Sequence, residues 1–111
     1  MRILSVVGNR PQFIKSGPVS AALAGRAEEI VVHTGQHYDP ELSAVFCREL
    51  ELSEPAYHLE VGSGTHAEQT ARMLPGVERA VIEQRPDWVL VYGDTNSTLA
   101  GTLAAAKLGT P

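Results

Sequence analysis

Short apolar, β-branched runs recur along this chain, and each is followed by a longer stretch with helical patterning. The runs are residues 3–7 (Ile-Leu-Ser-Val-Val), 29–33 (Glu-Ile-Val-Val-His) and 87–92 (Asp-Trp-Val-Leu-Val-Tyr). A short run that is apolar at nearly every position suits a strand covered on both faces. Strands that alternate with helices pair in parallel, because each helix carries the chain back to the starting edge of the sheet. The predicted order is β-α-β-α-(β)-α-β-α. That is an α/β fold, a Rossmann-like parallel sheet with flanking helices on both faces.

The helical segments carry their own punctuation. Residues 11–24 place Phe13, Ile14, Val19, Ala22 and Leu23 at roughly helical spacing, with Pro11 in the first turn and Gly25 at the stop. Pro18 lacks an N–H, which predicts a kink or a restart near Gly17. A second helix is expected over residues 40–51, with Leu42, Val45, Phe46 and Leu50 inward, and a short strand near residues 57–59. Thr65-His66-Ala67-Glu68 has the capping-box pattern. The helix it opens is predicted to reach Gln84, with Ala71, Leu74, Val77, Ala80 and Val81 inward and a kink at Pro75-Gly76. A polar turn over residues 93–98 opens a last helix to Leu108.

At 111 residues the chain fits one domain. Nine basic against thirteen acidic side chains give a net charge of −4, and no Lys/Arg cluster interrupts that balance, so no nucleic-acid footprint is expected. No apolar run approaches the roughly 18 residues of a membrane span, and the opening run is too short for a signal-peptide core. Cys47 is the one cysteine, which excludes an intramolecular disulfide and a cysteine zinc site. A cytoplasmic location is the expectation. The helix, Gly109 and Pro111 at the end are the pattern after which a new strand should begin, so the chain reads as a piece of a longer protein.

In an open parallel sheet, ligands bind outside the carboxyl ends of the strands. Three polar loops are predicted there: residues 8–12 (Gly-Asn-Arg-Pro-Gln), 34–37 (Thr-Gly-Gln-His) and 93–97 (Gly-Asp-Thr-Asn-Ser). Gly8 stands where a sharp turn is expected. Arg10 sits at a helix N-terminus, where its charge opposes the helix dipole and suits a bound anion better than a purely structural role. Lys15 lies about one turn on and could add a point charge; the alternative is that Arg10 and Lys15 are simply solvated. The loop matches neither the dinucleotide nor the P-loop fingerprint. His33 and His37 are four apart, but Gly35 argues against a helix and no further ligand completes a metal set. His33 reads as the end of a buried strand, and Gln36 and His37 as polar ligand contacts. Asp94 either caps the last helix or acts as a general base, if burial raises its pKa. Thr95, Asn96 and Ser97 can cap in its place, and Ser97 and Thr98 can donate to a ligand. His66 and Gln69 open the long helix on a face that could look at the cleft. Cys47, Trp88 and Tyr92 read as packing.

These loops together resemble one family. Gly8-Asn9-Arg10-Pro11-Gln12-Phe13-Ile14-Lys15, with Pro18-Val19, resembles the GTRPE-x-IK-x-x-P-V start of the non-hydrolysing UDP-N-acetylglucosamine 2-epimerases. Thr34-Gly35-Gln36-His37 resembles the family's TGQH. Gly93-Asp94-Thr95-Asn96-Ser97-Thr98-Leu99-Ala100-Gly101, with Ala104-Ala105, resembles GDT-x-S-T-x-A-G-x-x-A-A. The match runs in order along almost the whole chain.

The resemblance implies a glycosyltransferase-B-like fold of two Rossmann-like domains with a cleft between them. Residues 1–111 would be one N-terminal, truncated domain. The C-terminal domain, which holds most of the UDP, would lie outside the chain, and this piece alone would be inactive. The family inverts C2 of UDP-N-acetylglucosamine to give UDP-N-acetylmannosamine, by elimination and re-addition of UDP, for cell-envelope polysaccharides. It needs no nicotinamide cofactor and no metal. By resemblance Asp94 is one of several acid/base carboxylates, and Arg10 and Lys15 hold substrate or phosphate. Thr95 and Ser97 join them as substrate-binding candidates. Gln36, His37 and Gln69 match loosely the neighbourhood of a second, allosteric UDP-N-acetylglucosamine. A homodimer is implied.

Asn9 and Gln12 depart from the family's usual Thr and Glu. The RPQFIK and HTGQHYD versions look closer to relatives that epimerise UDP-2,3-diacetamido-glucuronic acid. A UDP-sugar-using glycosyltransferase and a binding-only fragment stay open as competing readings.

Overall fold

The computed structural model describes residues 1–35 and 55–111. The helix expected over residues 40–51, Cys47 and the loop residues Gln36 and His37 lie outside the described residues.

Strand β1 (Arg2–Val7) leads into helix α1 (Arg10–Leu23) and then strand β2 (Glu28–His33). A short strand β3 (Tyr57–His58) precedes the long helix α2 (His66–Gln84). Strand β4 (Trp88–Val91) and helix α3 (Asn96–Leu108) complete the order. The four strands form one sheet in the order β3-β2-β1-β4. Every pairing is parallel, with Val7 opposite His33, Val6 opposite Val91 and His33 opposite His58. The sheet and flanking helices are those expected from the alternation of runs, including the short strand near residue 57.

The two faces of β1 separate the two halves of the core. Leu4 and Val6 point to one face, where they meet Val32, Val77, Ala80, Val81 and Ala104 under α2 and α3. Val7 points to the other face and packs with Val31, Phe13 of α1 and Tyr92. This period-two alternation lets one strand serve both layers. Gly101 allows α3 to lie close on the sheet, since a Cβ there would stand 2.9 Å from Val91 and 3.2 Å from Val6.

Several local expectations are corrected. Both α1 and α2 run without interruption through Pro18 and Pro75. Each proline removes a hydrogen bond to the carbonyl four residues earlier, that of Ile14 or Ala71. Both prolines and both of those earlier residues are exposed, so water can take the freed carbonyls. The core stripe of α2 is shifted accordingly: Gln69 and Met73 are buried and Ala71 is not. In α1, Ile14 and Ala22 face solvent as well. Among the described residues β4 is the last strand on its side of the sheet, and Trp88 is 51% exposed instead of packed.

Candidate functional site

With the order β3-β2-β1-β4, the chain turns one way from β1 through α1 to β2, and β4 lies on the other side of β1. The crevice between loops that leave in opposite directions opens at the carboxyl ends of β1 and β4. Loop one (residues 8–10) follows β1, and loop three (residues 93–95) follows β4.

At loop one, Asn9 adopts extended backbone and its side chain accepts the Gln12 N–H at 3.2 Å, so Asn9 is the cap of α1. Arg10 is thereby the first helical residue, exposed at the positive end of the helix dipole. Lys15 is also exposed, just over one turn further along α1. Gly8 is needed for close approach and not for a turn, since its φ lies outside the left-handed region. A Cβ there would collide with the Ser97 hydroxyl and stand 2.5 Å from Thr34 Oγ1.

At loop three, Gly93 takes φ 76°, a left-handed turn that favours glycine. Asp94 follows and is exposed, not buried as the general-base expectation required. Thr95 is at the N-cap position of α3, but its side chain does not cap the helix. Its Oγ1 accepts from Gln12 Nε2 at 2.6 Å. The Thr98 hydroxyl donates to the Tyr92 carbonyl at 2.8 Å.

Sequence reasoning passed over Gln12, which is 2% exposed and joins the two loops. Its Oε1 accepts the Gly8 N–H at 2.7 Å, and its Nε2 donates to the Tyr92 carbonyl at 2.5 Å as well as to Thr95. Nothing local marks such a residue; the one signal was that Gln12 departs from the family's usual Glu.

Two residues expected at the ligand are engaged inside the fold. Ser97 is fully buried, with its hydroxyl 2.8 Å from Thr34 Oγ1. Gln69 is 5% exposed; it donates to the Gly62 carbonyl at 2.8 Å and accepts from Asn96 Nδ2 at 2.8 Å. Both side chains tie loops to helices, because their positions fall on the inward stripes of α3 and α2. His66 meets Asn96 at 3.1 Å beside them.

His33 ends β2 beneath the second loop, as expected, and is 2% exposed. Its Nδ1 accepts the Gly35 N–H at 2.9 Å, and its ring lies 4.8 Å from that of Phe13. Burial, with a smaller push from His58, lowers its pKa to about 4, so the imidazole is neutral. Among the described residues no three His, Cys, Asp or Glu side chains group to hold a metal ion. No helix among them is long and apolar enough to cross a membrane.

The site therefore places Arg10, at a helix N-terminus, and the exposed Asp94 on loops that leave adjoining strands, with the buried Gln12 amide between those loops. Such a pair suits an anionic group beside a carbon that gains or loses a proton. Comparison with known proteins points the same way. The sequence profile described as UDP-N-acetylglucosamine 2-epimerase matches residues 21–111. A UDP-N-acetylglucosamine 2-epimerase homolog of Methanococcus maripaludis is 54% identical over 108 residues, covering 97% of this chain and 30% of the relative. A UDP-2,3-diacetamido-2,3-dideoxy-D-glucuronate 2-epimerase of Pseudomonas aeruginosa is 50% identical, covering 100% of this chain and 32% of the relative. The crystal structure of Methanocaldococcus jannaschii UDP-GlcNAc 2-epimerase with UDP-GlcNAc and UDP superposes with a TM-score of 0.91 at 43% identity, over 98% of this chain and 30% of that one. The chain thus spans about 30% of the length of the relatives it matches. On the profile match and these identities, the chain belongs to the UDP-N-acetylglucosamine 2-epimerase family.

Proposed function

We propose that this chain is the first part of the N-terminal domain of a 2-epimerase. The enzyme would convert UDP-N-acetylglucosamine to UDP-N-acetylmannosamine without a cofactor. A base removes the C2 proton as the C1–O bond to UDP breaks. The C2–H electron pair becomes a C1–C2 double bond, and the leaving pair departs on UDP. UDP then adds back to C1 while a proton returns to the other face of C2.

In this reading Arg10 and Lys15 neutralise the leaving diphosphate, and Asp94 is one of the carboxylates that move the C2 proton. Thr95 lies beside that path. The remaining groups come from a second domain across the cleft. By the family resemblance, Gln36, His37 and Gln69 belong to the neighbourhood of a second, regulatory UDP-sugar. The enzyme works as a homodimer in the cytoplasm. The observation that supports the reading best is the placement of Arg10 and Asp94 at adjoining strand ends, beside the switch point of the sheet.

The test is proton NMR of UDP-N-acetylglucosamine in deuterated water with the longest natural form of the protein. Loss of the C2 proton together with new manno-sugar signals is the expected result. Binding of UDP without exchange at C2 of either this sugar or UDP-2,3-diacetamido-glucuronic acid would sink the epimerase reading. The 50% identical Pseudomonas relative favours a second substrate, UDP-2,3-diacetamido-glucuronic acid, and the same experiment with that sugar decides between the two.

A further inference from the structure

Gln12 ties the cationic loop to the carboxylate loop by hydrogen bonds that only an amide can make together. The Gly8 N–H needs an acceptor, and Oε1 supplies it at 2.7 Å. The Tyr92 carbonyl and Thr95 Oγ1 are met by Nε2, at 2.5 and 2.6 Å. These partners fix which end of the amide is nitrogen. They also use both its protons, one on each side of the turn that carries Asp94. The contacts reach 80 and 83 residues along the sequence, although the Tyr92 carbonyl also keeps a local donor, the Thr98 hydroxyl at 2.8 Å. The amide is buried, where a hydrogen bond lost leaves its partner without water to replace it. Gln12 is also two residues beyond Arg10, in the first turn of α1. The backbone that presents the guanidinium and the backbone that presents the carboxylate are therefore fixed to one side chain.

We propose that Gln12 is a positioning residue for the reaction. It holds the Asp94 turn at one spacing from the Arg10 helix start, so that proton removal at C2 and departure of the diphosphate from C1 take place on the same bound sugar. The proposal rests on the epimerase reading. It assigns Gln12 no contact with substrate; the residue acts through Asp94.

The test compares the longest natural form of the protein with its Gln12→Met variant, which keeps the length of the side chain and removes its polar atoms. Three readouts are taken: UDP affinity by calorimetry, the motion of residues 93–94 with exchange of the Gly8 amide by NMR, and the rate of C2 exchange in deuterated water. Gly8 amide exchange should rise about tenfold with the lost bond, and motion at Gly93 and Asp94 should increase. UDP affinity should stay within about threefold, since an order of magnitude already corresponds to a lost charged contact. The C2 exchange rate should fall by roughly a hundredfold, the scale of an ångström-sized misplacement. In an Asp94→Asn background the same substitution should cost little more, because two residues acting through one group are not additive.

Unchanged motion at Gly93 and Asp94 would overturn the bridge. A fall in C2 exchange that only follows UDP affinity, or one that adds in full to Asp94→Asn, would overturn the positioning role. If the unsubstituted protein exchanges no C2 proton, it is the epimerase reading that fails, and the NMR readouts still judge the bridge. Should Gln12→Met not fold, Thr95→Val removes one acceptor and leaves the other two bonds. Added motion at Gly93 and Asp94 is then expected, and its absence overturns the bridge.

Discussion

Gly8→Ala is the substitution that loads the structure most directly. The backbone of Gly8 lies outside the left-handed region, so alanine meets no torsional penalty there. The obstacle is space. The new Cβ would overlap the Ser97 hydroxyl and press on Thr34 Oγ1 at 2.5 Å. Both residues are fully buried, and their hydroxyls are bonded to each other at 2.8 Å. Neither is the far end of a flexible chain, so the loop must lift from β2 or α3 must slide. Overpacking of this kind costs about 1–3 kcal/mol. Separating the two hydroxyls strands buried polar groups at about 1–3 kcal/mol more, so a loss of about 3–4 kcal/mol is expected. Urea unfolding measures it: with an m-value of about 1.5 kcal/mol per M, the midpoint should fall by about 2 M at unchanged m. Gly25→Ala is the control. Gly25 has φ 78° and nothing within 4 Å of a Cβ, so only the left-handed backbone cost of about 1–2 kcal/mol applies. If Gly8→Ala costs no more than Gly25→Ala, the close approach of the three strand ends is not what holds the loops.

Arg10→Ala in the longest natural form should weaken UDP binding by about 10- to 100-fold, the worth of a charge-assisted hydrogen bond, and Arg10→Lys should recover part of it; unchanged calorimetric affinity would remove Arg10 from the diphosphate site. His33 takes up a proton in the unfolded chain below its ordinary 6.5 but in the fold only near 4, so stability should decline as pH falls through that window, by up to about 3 kcal/mol. Unfolding curves of His33→Gln should lack that part of the slope. The Tyr92 hydroxyl is buried without a hydrogen-bond partner among the described residues, so Tyr92→Phe should leave the melting temperature unchanged or raise it. Burial, with Glu29 nearby, also holds the Tyr92 pKa up at about 12, so the unsubstituted protein should lose stability above pH 10.0, where the unfolded chain ionises first; the Phe variant should lose less.

By itself the sequence determined the layers of the fold and the edge where its chemistry gathers. Runs such as residues 3–7 and 29–33 are apolar at consecutive positions, and only a strand between two layers of helices buries such a run. The carboxyl ends of those strands follow from the runs, which places Arg10 and Asp94 on one edge of the sheet from the sequence alone. Their motifs carried the family too, since they match it in order along almost the whole chain. Tertiary structure alone decided what each polar side chain near the edge touches. Ser97 and Gln69 read as ligand contacts by type and position. Burial turned them inward, where the Ser97 hydroxyl meets Thr34 Oγ1 at 2.8 Å and Met73 Sδ at 3.9 Å, and Gln69 donates to the Gly62 carbonyl. The two helical prolines looked like breaks, and solvent on their side of the helix made them harmless. Gln12 stood out in the sequence only as a departure from the family's usual Glu, which says nothing of its bonds. Its partners lie 80 and more residues away, and a bond across that distance exists only once the parallel sheet has set β4 beside β1.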